Sequence, residues 1–277
     1  MFLLDKWRLT ECNNLEGTIP PELGTLTSLE GLDFSVNLLR GSIPSTIGYL
    51  SRLKWFDLDD NELSSTLPHS LSKLSKMELF YFHFNFFTGT IPEAFTKLPV
   101  LKDFDVRWNE LTGTIPNFAQ QDTIEYINFS FNFLEGSLPQ SLFRLKNLED
   151  LRAEFNLLTS TIPSGIGSLE YLEHIFLGGN YLSGTIPSIL GNVEFLKTLN
   201  ICTNEFTGTI PIELGNLFDL QDACLGSNWL TGTVPSEIGH LKKLLYFDIG
   251  LNPITGTLPT IFSKMTKLGT SINCDLG

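Results

Sequence analysis

The sequence predicts a repeat solenoid, in which short strands of successive 24-residue units stack in parallel and each unit closes with a second short strand and a turn. Three observations predict it. An Asn followed seven residues later by Pro occurs eleven times, from Asn13/Pro20 to Asn252/Pro259, at a step of 24 residues broken only by 23 between Asn109 and Asn132. Counted from that Asn, positions −8, −5 and −3 are apolar in all 30 cases from the second repeat to the last. Gly stands at +4 in nine of the eleven repeats.

Each position has a physical reason. The −6 to −2 stretch alternates between invariant apolar and freely varying residues, as a strand with one buried face does. Such a strand cannot cover its own apolar side, so neighbouring repeats must do so. The Asn ends an inward run and is expected to be buried, bonding to backbone groups of its own turn and of the adjacent repeat as a ladder. Gly at +4 suits a turn with an open φ or a close backbone approach. Pro at +7 follows the second strand, where a missing N–H costs little. The segment after it, as in Pro44-Ser-Thr-Ile47-Gly48-Tyr-Leu50, spaces apolar residues by three and predicts a short 3₁₀ or helical turn.

These residues resemble the plant-type leucine-rich repeat of receptor-like proteins and kinases, with consensus LxxLxLxxNxLxGxIPxxLGxLxx. The stretch Leu196-Lys-Thr-Leu199-Asn-Ile201-Cys-Thr-Asn204-Glu-Phe206-Thr-Gly208-Thr-Ile210-Pro211 follows it almost position for position. The resemblance implies an α/β leucine-rich-repeat solenoid, a right-handed horseshoe of about eleven repeats with a parallel sheet on its concave face and short 3₁₀ or helical turns on its convex face. It also implies an extracellular or cell-surface recognition module that binds its ligand on the concave face. One domain is expected over 1–277, with an irregular first repeat (1–12), regular repeats (13–259) and a degenerate or truncated last one (260–277). In the first repeat Leu4, Trp7 and Leu9 take the strand positions, and near the end Leu268 opens a strand whose pattern Ser271 and Asn273 break. The family's cysteine-bearing N-terminal cap is missing, so a segment of a larger ectodomain or an incomplete gene model is expected.

Composition narrows function. Of 277 residues 18 are Lys or Arg and 31 Asp or Glu, a formal net charge of −13, which disfavours a nucleic-acid partner. No apolar run is long enough to span a bilayer, and the start Met1-Phe-Leu-Leu-Asp5-Lys-Trp7 does not read as a signal peptide. Four cysteines are too few for a disulfide scaffold. Cys12 and Cys274 fall in the irregular ends. Cys202 and Cys224 fall on adjacent strands, two positions out of line. A flat ladder separates the Cα atoms of such a diagonal pair by roughly 7–8 Å, so both are expected as free thiols.

The outward columns −6, −4 and −2 carry the candidate site. Large aromatics and both bases cluster between Trp55 and Phe176, giving a candidate ligand-binding set of Trp55, Asp57, Tyr81, His83, Asp105, Arg107, Tyr126, Arg152, His174 and Phe176. An exposed sheet has no structural need of such aromatics, while Trp, Tyr and Arg are the usual anchors of interfaces. The columns hold nine acids against Arg107 and Arg152, favouring a cationic or mixed-charge protein or peptide partner. Phe84, Trp108, Phe131 and Phe155 at −1 read either as a ledge for a partner or as rings folded over the loop.

Three function classes follow: the ectodomain of a receptor-like or secreted protein, an enzyme inhibitor of the polygalacturonase-inhibitor type, and an ice-binding protein. The last rests on six repeats with Thr at both +3 and +5, such as Thr112/Thr114, Thr159/Thr161 and Thr207/Thr209. Catalysis is not expected, since no Ser or Cys can be assigned a base. No cofactor or metal is expected: Asp57-Leu-Asp59-Asp60-Asn61 opens like a calcium loop, but Glu62 replaces its Gly and Pro68 its terminal Glu. The sequon Asn128-Phe-Ser130 lies in the middle of the proposed face.

Overall fold

The computed structural model describes residues 7–8, 13–118 and 122–265. The chain divides into two compact units, Met1–Glu135 and Gly136–Gly277. Cys12, Cys274, Leu4 and Leu9, and the degenerate strand at Leu268, Ser271 and Asn273, lie outside the described residues.

Both units are built alike. In the first, strands Trp7–Arg8, Gly31–Asp33, Trp55–Asp57, Leu79–Tyr81, Asp103–Asp105 and Tyr126–Asn128 form one parallel sheet in chain order. Strands Glu16–Thr18, Leu38–Gly41, Glu62–Thr66, Phe86–Gly89, Glu110–Thr114 and Phe133–Gly136 form a second. In the second unit the corresponding strands are Asp150–Arg152, His174–Phe176, Thr198–Asn200, Asp222–Cys224 and Tyr246–Asp248, with Leu157–Ser160, Tyr181–Thr185, Glu205–Thr209 and Trp229–Thr231 in the second sheet. The register follows the repeat: Phe56 pairs with Phe80, which pairs with Phe104, and Ile175 pairs with Leu199. Ten turns close the repeats among the described residues, and all are 3₁₀ rather than α. Each regular one begins after the repeat's Pro, as at Pro44 before Ser45–Tyr49, because a locked extended φ leads directly into the tight turn.

The inward positions −8, −5 and −3 are buried in every repeat from the second onward, apart from half-buried Ile249. Phenylalanine fills much of the first unit. Phe56 meets Phe82 edge-on with ring centres 5.4 Å apart, and Phe104 meets Phe129 at 6.0 Å. Both pairs set ring edges against ring faces, as the aromatic quadrupole favours.

The asparagine ladder has the expected geometry. The Oδ1 of Asn109 accepts the Phe87 N–H at 2.9 Å, while its Nδ2 donates to Phe82 O of the preceding repeat at 2.9 Å and to Val106 O at 3.1 Å. Asn85 and Asn132 in this unit, and Asn204 and Asn228 in the other, repeat the pattern. The +4 glycine is needed for conformation and for space. Gly113 has φ +75°, and a Cβ there would come within 2.8 Å of the Thr90 γ-methyl.

The residue just before each ladder Asn also turns left-handed. Val36, Asp60, Phe84, Trp108 and Phe131 have φ between 50° and 57°. That conformation disfavours bulky side chains, yet Phe84, Trp108 and Phe131 place aromatics there in three successive repeats of this unit, and Phe155 (φ 51°) does so in the next repeat. In this unit the rings do not stand apart as separate contacts. They stack on one another, Phe84 on Trp108 at 5.8 Å and Trp108 on Phe131 at 4.0 Å, nearly parallel. Mutual stacking offsets part of the backbone cost and leaves an exposed edge of rings.

Candidate functional site

The outer face of the first sheet carries two separate groups of side chains, one in each unit. In the first unit Asp57, Asp59, Tyr81, His83, Asp103, Asp105, Arg107 and Tyr126 line a shallow cavity of about 360 Å³. Six of the ten sequence-selected residues are among them. Trp55 is not: its ring lies across Gly31, where a Cβ would collide with it, so it shields backbone of the preceding repeat. Asp59, at −2, and Asp103, at −6, also line the cavity although they fall outside that set.

The polar groups are tightly organised. The Tyr81 hydroxyl donates to Asp103 Oδ2 at 2.5 Å. Asp105, 2 % exposed, accepts from Arg107 at 3.1 Å and from the Tyr126 hydroxyl at 3.2 Å. His83 sets Nε2 3.2 Å from Asp59 Oδ2. Its buried Nδ1 has no hydrogen-bond partner among the described residues and stands 4.0 Å from Asp105 Oδ2. Buried polar atoms are paired in the great majority of cases, so this nitrogen stands out.

Four of these groups titrate away from their ordinary values. Burial pushes Asp57 up to about 7, helped by the neighbouring carboxylates of Asp59 and Asp33. Burial works on Asp59 in the same sense, but hydrogen bonds from His83 and Asp57 outweigh it and hold Asp59 below the usual range. Asp105 is raised because burial exceeds the pull of His83 and Arg107. Burial, then the hydrogen bond to Asp103, raises the Tyr81 phenol.

The acid excess of the face has a local structural cause. Position −4 is Asp or Asn in six of the ten repeats: Asp33, Asp57, Asp105, Asn128, Asn200 and Asp248. In all six the side-chain oxygen accepts the backbone N–H two residues on, as Asp105 does from Arg107 at 3.0 Å and Asp248 from Gly250 at 2.8 Å. This Asx turn ends the strand where the chain bends away. A carboxylate there is therefore first a turn acceptor, and only its second oxygen faces a ligand.

In the second unit Arg152 grips Asp150 through two hydrogen bonds of 2.9 Å and 2.7 Å, and lays its guanidinium 4.4 Å from the Phe176 ring centre. The fork of donors matches a carboxylate, and the cation sits over the ring's negative face. His174 stacks at 6.2 Å from Phe176 and meets Thr198 Oγ1 at 3.1 Å through Nδ1. Asn200 donates to Glu154 at 2.8 Å, and burial raises Glu154 against the opposing influence of Arg152. Arg152, His174 and Phe176 are thus brought together as one flat aromatic and cationic platform.

One expectation changes. Cys202 and Cys224 are joined in a disulfide with Cα atoms 5.4 Å apart, rather than being free thiols. The flat-ladder distance holds only while both strands run straight. Cys202 lies two residues beyond the strand Thr198–Asn200, and left-handed Thr203 (φ 56°) bends the chain there. The sequon is not available in the folded chain, since Asn128 and Ser130 are each 2 % exposed and the Asn128 amide bonds to Tyr126 and Ser130. No helix among the described residues is long and apolar enough to cross a membrane.

Comparison with known proteins agrees with this architecture. A family model described as Leucine Rich Repeat matches residues 52–74, 171–193 and 195–217. No curated protein sequence matches the chain. Among solved structures, the chain is similar to a TDR receptor, with 32% identity and a TM-score of 0.90 over 92% of this chain and 44% of that one. It is similar to the plant peptide hormone receptor RGFR1, solved in complex with RGF2, with 27% identity and a TM-score of 0.80 over 96% of this chain and 50% of the receptor. A plant ice-binding protein shares 28% identity and a TM-score of 0.74 over 91% of this chain and 86% of its own. The chain therefore spans half or less of the length of the two receptors.

Proposed function

Since this chain belongs to the plant-type leucine-rich-repeat family, we propose that it is a non-catalytic recognition module, extracellular or at the cell surface, that binds a protein or peptide on the outer face of its first sheet. The observation that carries the reading is the cavity of the first unit. There carboxylates, two phenols and a guanidinium converge around a buried His83 nitrogen that lacks a partner among the described residues. The similarity to a hormone receptor solved with its peptide supports the same reading. Asp57, Asp59 and Asp103 favour an ammonium or guanidinium group in the ligand, with Arg107 able to meet a carboxylate beside it. The exposed ring edge of Phe84 and Trp108 borders this group, since the Arg107 guanidinium lies 5.6 Å from the Phe84 ring centre.

A phage-displayed random peptide library panned on the immobilised chain tests this. Enriched peptides carry Lys or Arg, and their affinity falls at least about tenfold when Tyr81→Ala is combined with Asp103→Asn, the loss of roughly one hot spot. Binders indifferent to both substitutions place recognition elsewhere and overturn the reading.

A second reading is favoured by one comparison, the ice-binding protein that this chain matches over most of that protein's length. The Thr residues at +3 and +5 stand in rows on the second sheet, as such a surface requires. They also have backbone duties. Thr207 and Thr231 donate to the glycine carbonyls of the preceding repeat at 3.2 Å, and the Thr γ-methyls at +5 pack over the next repeat's glycine. These duties account for the threonines without ice. In an ice-recrystallisation assay the parent is accordingly expected to be inactive; activity that disappears when Thr112, Thr159 and Thr207 are replaced by Tyr would move the function to this face.

A further inference from the structure

Away from the cavity, the second unit holds a cluster that neither reading above uses. Cys202, Cys224 and Asp248 are all half-buried, and their two sulfurs and one carboxylate oxygen lie within 4.8 Å of one another. Asp248 Oδ2 is 3.7 Å from the Cys224 sulfur and 4.0 Å from that of Cys202. We infer that the reduced form of this cluster is a binding site for a borderline-soft divalent cation of the Zn²⁺ type, and that the disulfide is its oxidised, metal-free state.

Five features support this. The ligand set of two thiolates and a carboxylate matches such an ion, and a partly exposed cluster leaves a fourth position for water. The Gly226 N–H donates to the Cys202 sulfur at 3.1 Å, a bond that stabilises negative charge on sulfur. Asp248 is held in place by the Gly250 N–H at 2.8 Å and the Tyr246 hydroxyl at 3.4 Å. Supporting bonds of this kind orient a metal ligand. Asp248 makes no ion pair among the described residues. Its position over the sulfurs depends on a neighbour without a side chain, because a Cβ on Gly226 would lie 2.7 Å from Asp248 Oδ2.

The chemistry balances with a dithiol as reductant. It delivers two electrons and two protons to the S–S bond, which breaks to give two thiols, and becomes a disulfide itself. The cation then displaces both thiol protons to solvent and bonds to the two thiolates and the Asp248 carboxylate.

Cobalt(II) reports the site directly, because thiolate ligation gives a charge-transfer absorption that oxygen and nitrogen ligands do not. In a Cys12→Ser, Cys274→Ser background, the chain reduced with dithiothreitol and desalted without oxygen is expected to bind one Co²⁺ with that absorption, and Zn²⁺ should displace it. The oxidised form of the same protein should show none, a control that requires no change of sequence. Asp248→Asn should weaken binding at least about tenfold, with circular dichroism confirming the fold. No thiolate absorption in the reduced chain, or unchanged affinity in Asp248→Asn, overturns the site as assigned.

Discussion

Replacing Asn109 by Ala is expected to cost the chain roughly 3 kcal/mol of stability, because it strands several buried backbone groups at once. Asn109 is 7 % exposed. Its loss leaves the Phe87 N–H without this acceptor and the Phe82 and Val106 carbonyls without this donor, in an interior that water does not reach. The cost of a lost hydrogen bond in water is modest, but the cost of an unsatisfied buried group is about 1–3 kcal/mol, and here more than one is created. Asn109→Asp is a useful second variant. It keeps the acceptor for Phe87 but turns a carboxylate toward carbonyl oxygens, so it should destabilise as well. Urea unfolding followed by circular dichroism measures both; a loss below about 1 kcal/mol for the Ala variant would falsify the ladder as a main source of cohesion. Repeat stacks unfold by neighbouring units, so the damage should also show as a broadened or divided transition.

The second large effect is on pH dependence. Asp57 has a folded pKa of about 7 against an ordinary 3.8, because burial and the neighbouring Asp59 and Asp33 disfavour its charge. The folded state thus holds this proton more tightly than the unfolded state. Its contribution to stability is complete below about pH 4 and is lost as the pH rises through about 7. Asp59 acts in the opposite sense: its depressed value gives stability above the ordinary carboxylate range that disappears in acid. Asp57→Asn mimics the protonated form, so it should barely change the melting temperature near pH 4 and raise it near pH 8, by roughly 2–4 °C for each kcal/mol of relieved repulsion. Parallel melting curves for parent and variant across this range would show that Asp57 is not held in its neutral form. Binding of a cationic peptide should tighten over the same interval, since the ligand's charge favours the carboxylate.

Parts of the candidate site were legible for reasons that can be named. Tyr81, His83, Asp105, Arg107 and Tyr126 meet because their strands are stacked in a register set by the 24-residue step, and a count from each Asn places them in adjacent columns. The Asx turns at −4 were also visible in principle, as Asp or Asn recurs there in six of ten repeats. Read only as charge, that column exaggerated the acidity offered to a ligand. Trp55 shows the opposite difficulty: whether its ring points to solvent or lies over Gly31 depends on the preceding repeat having no side chain at that point.

Sequence was enough for whatever recurs from repeat to repeat with few exceptions: the inward apolar columns, the buried Asn ladder, the turn that is glycine in nine of eleven repeats and the 3₁₀ turn after Pro. Each answers a demand of backbone geometry or buried hydrogen bonding that is the same in each repeat, so eleven copies make it readable. What differs between repeats took the folded chain to settle. Folding closed Cys202 on Cys224, stacked Trp108 between Phe84 and Phe131, left His83 Nδ1 without a partner among the described residues and raised Asp57 toward neutrality. These outcomes turn on side chains from successive repeats approaching within a few ångströms and excluding water there, and a period in the sequence carries no such distance.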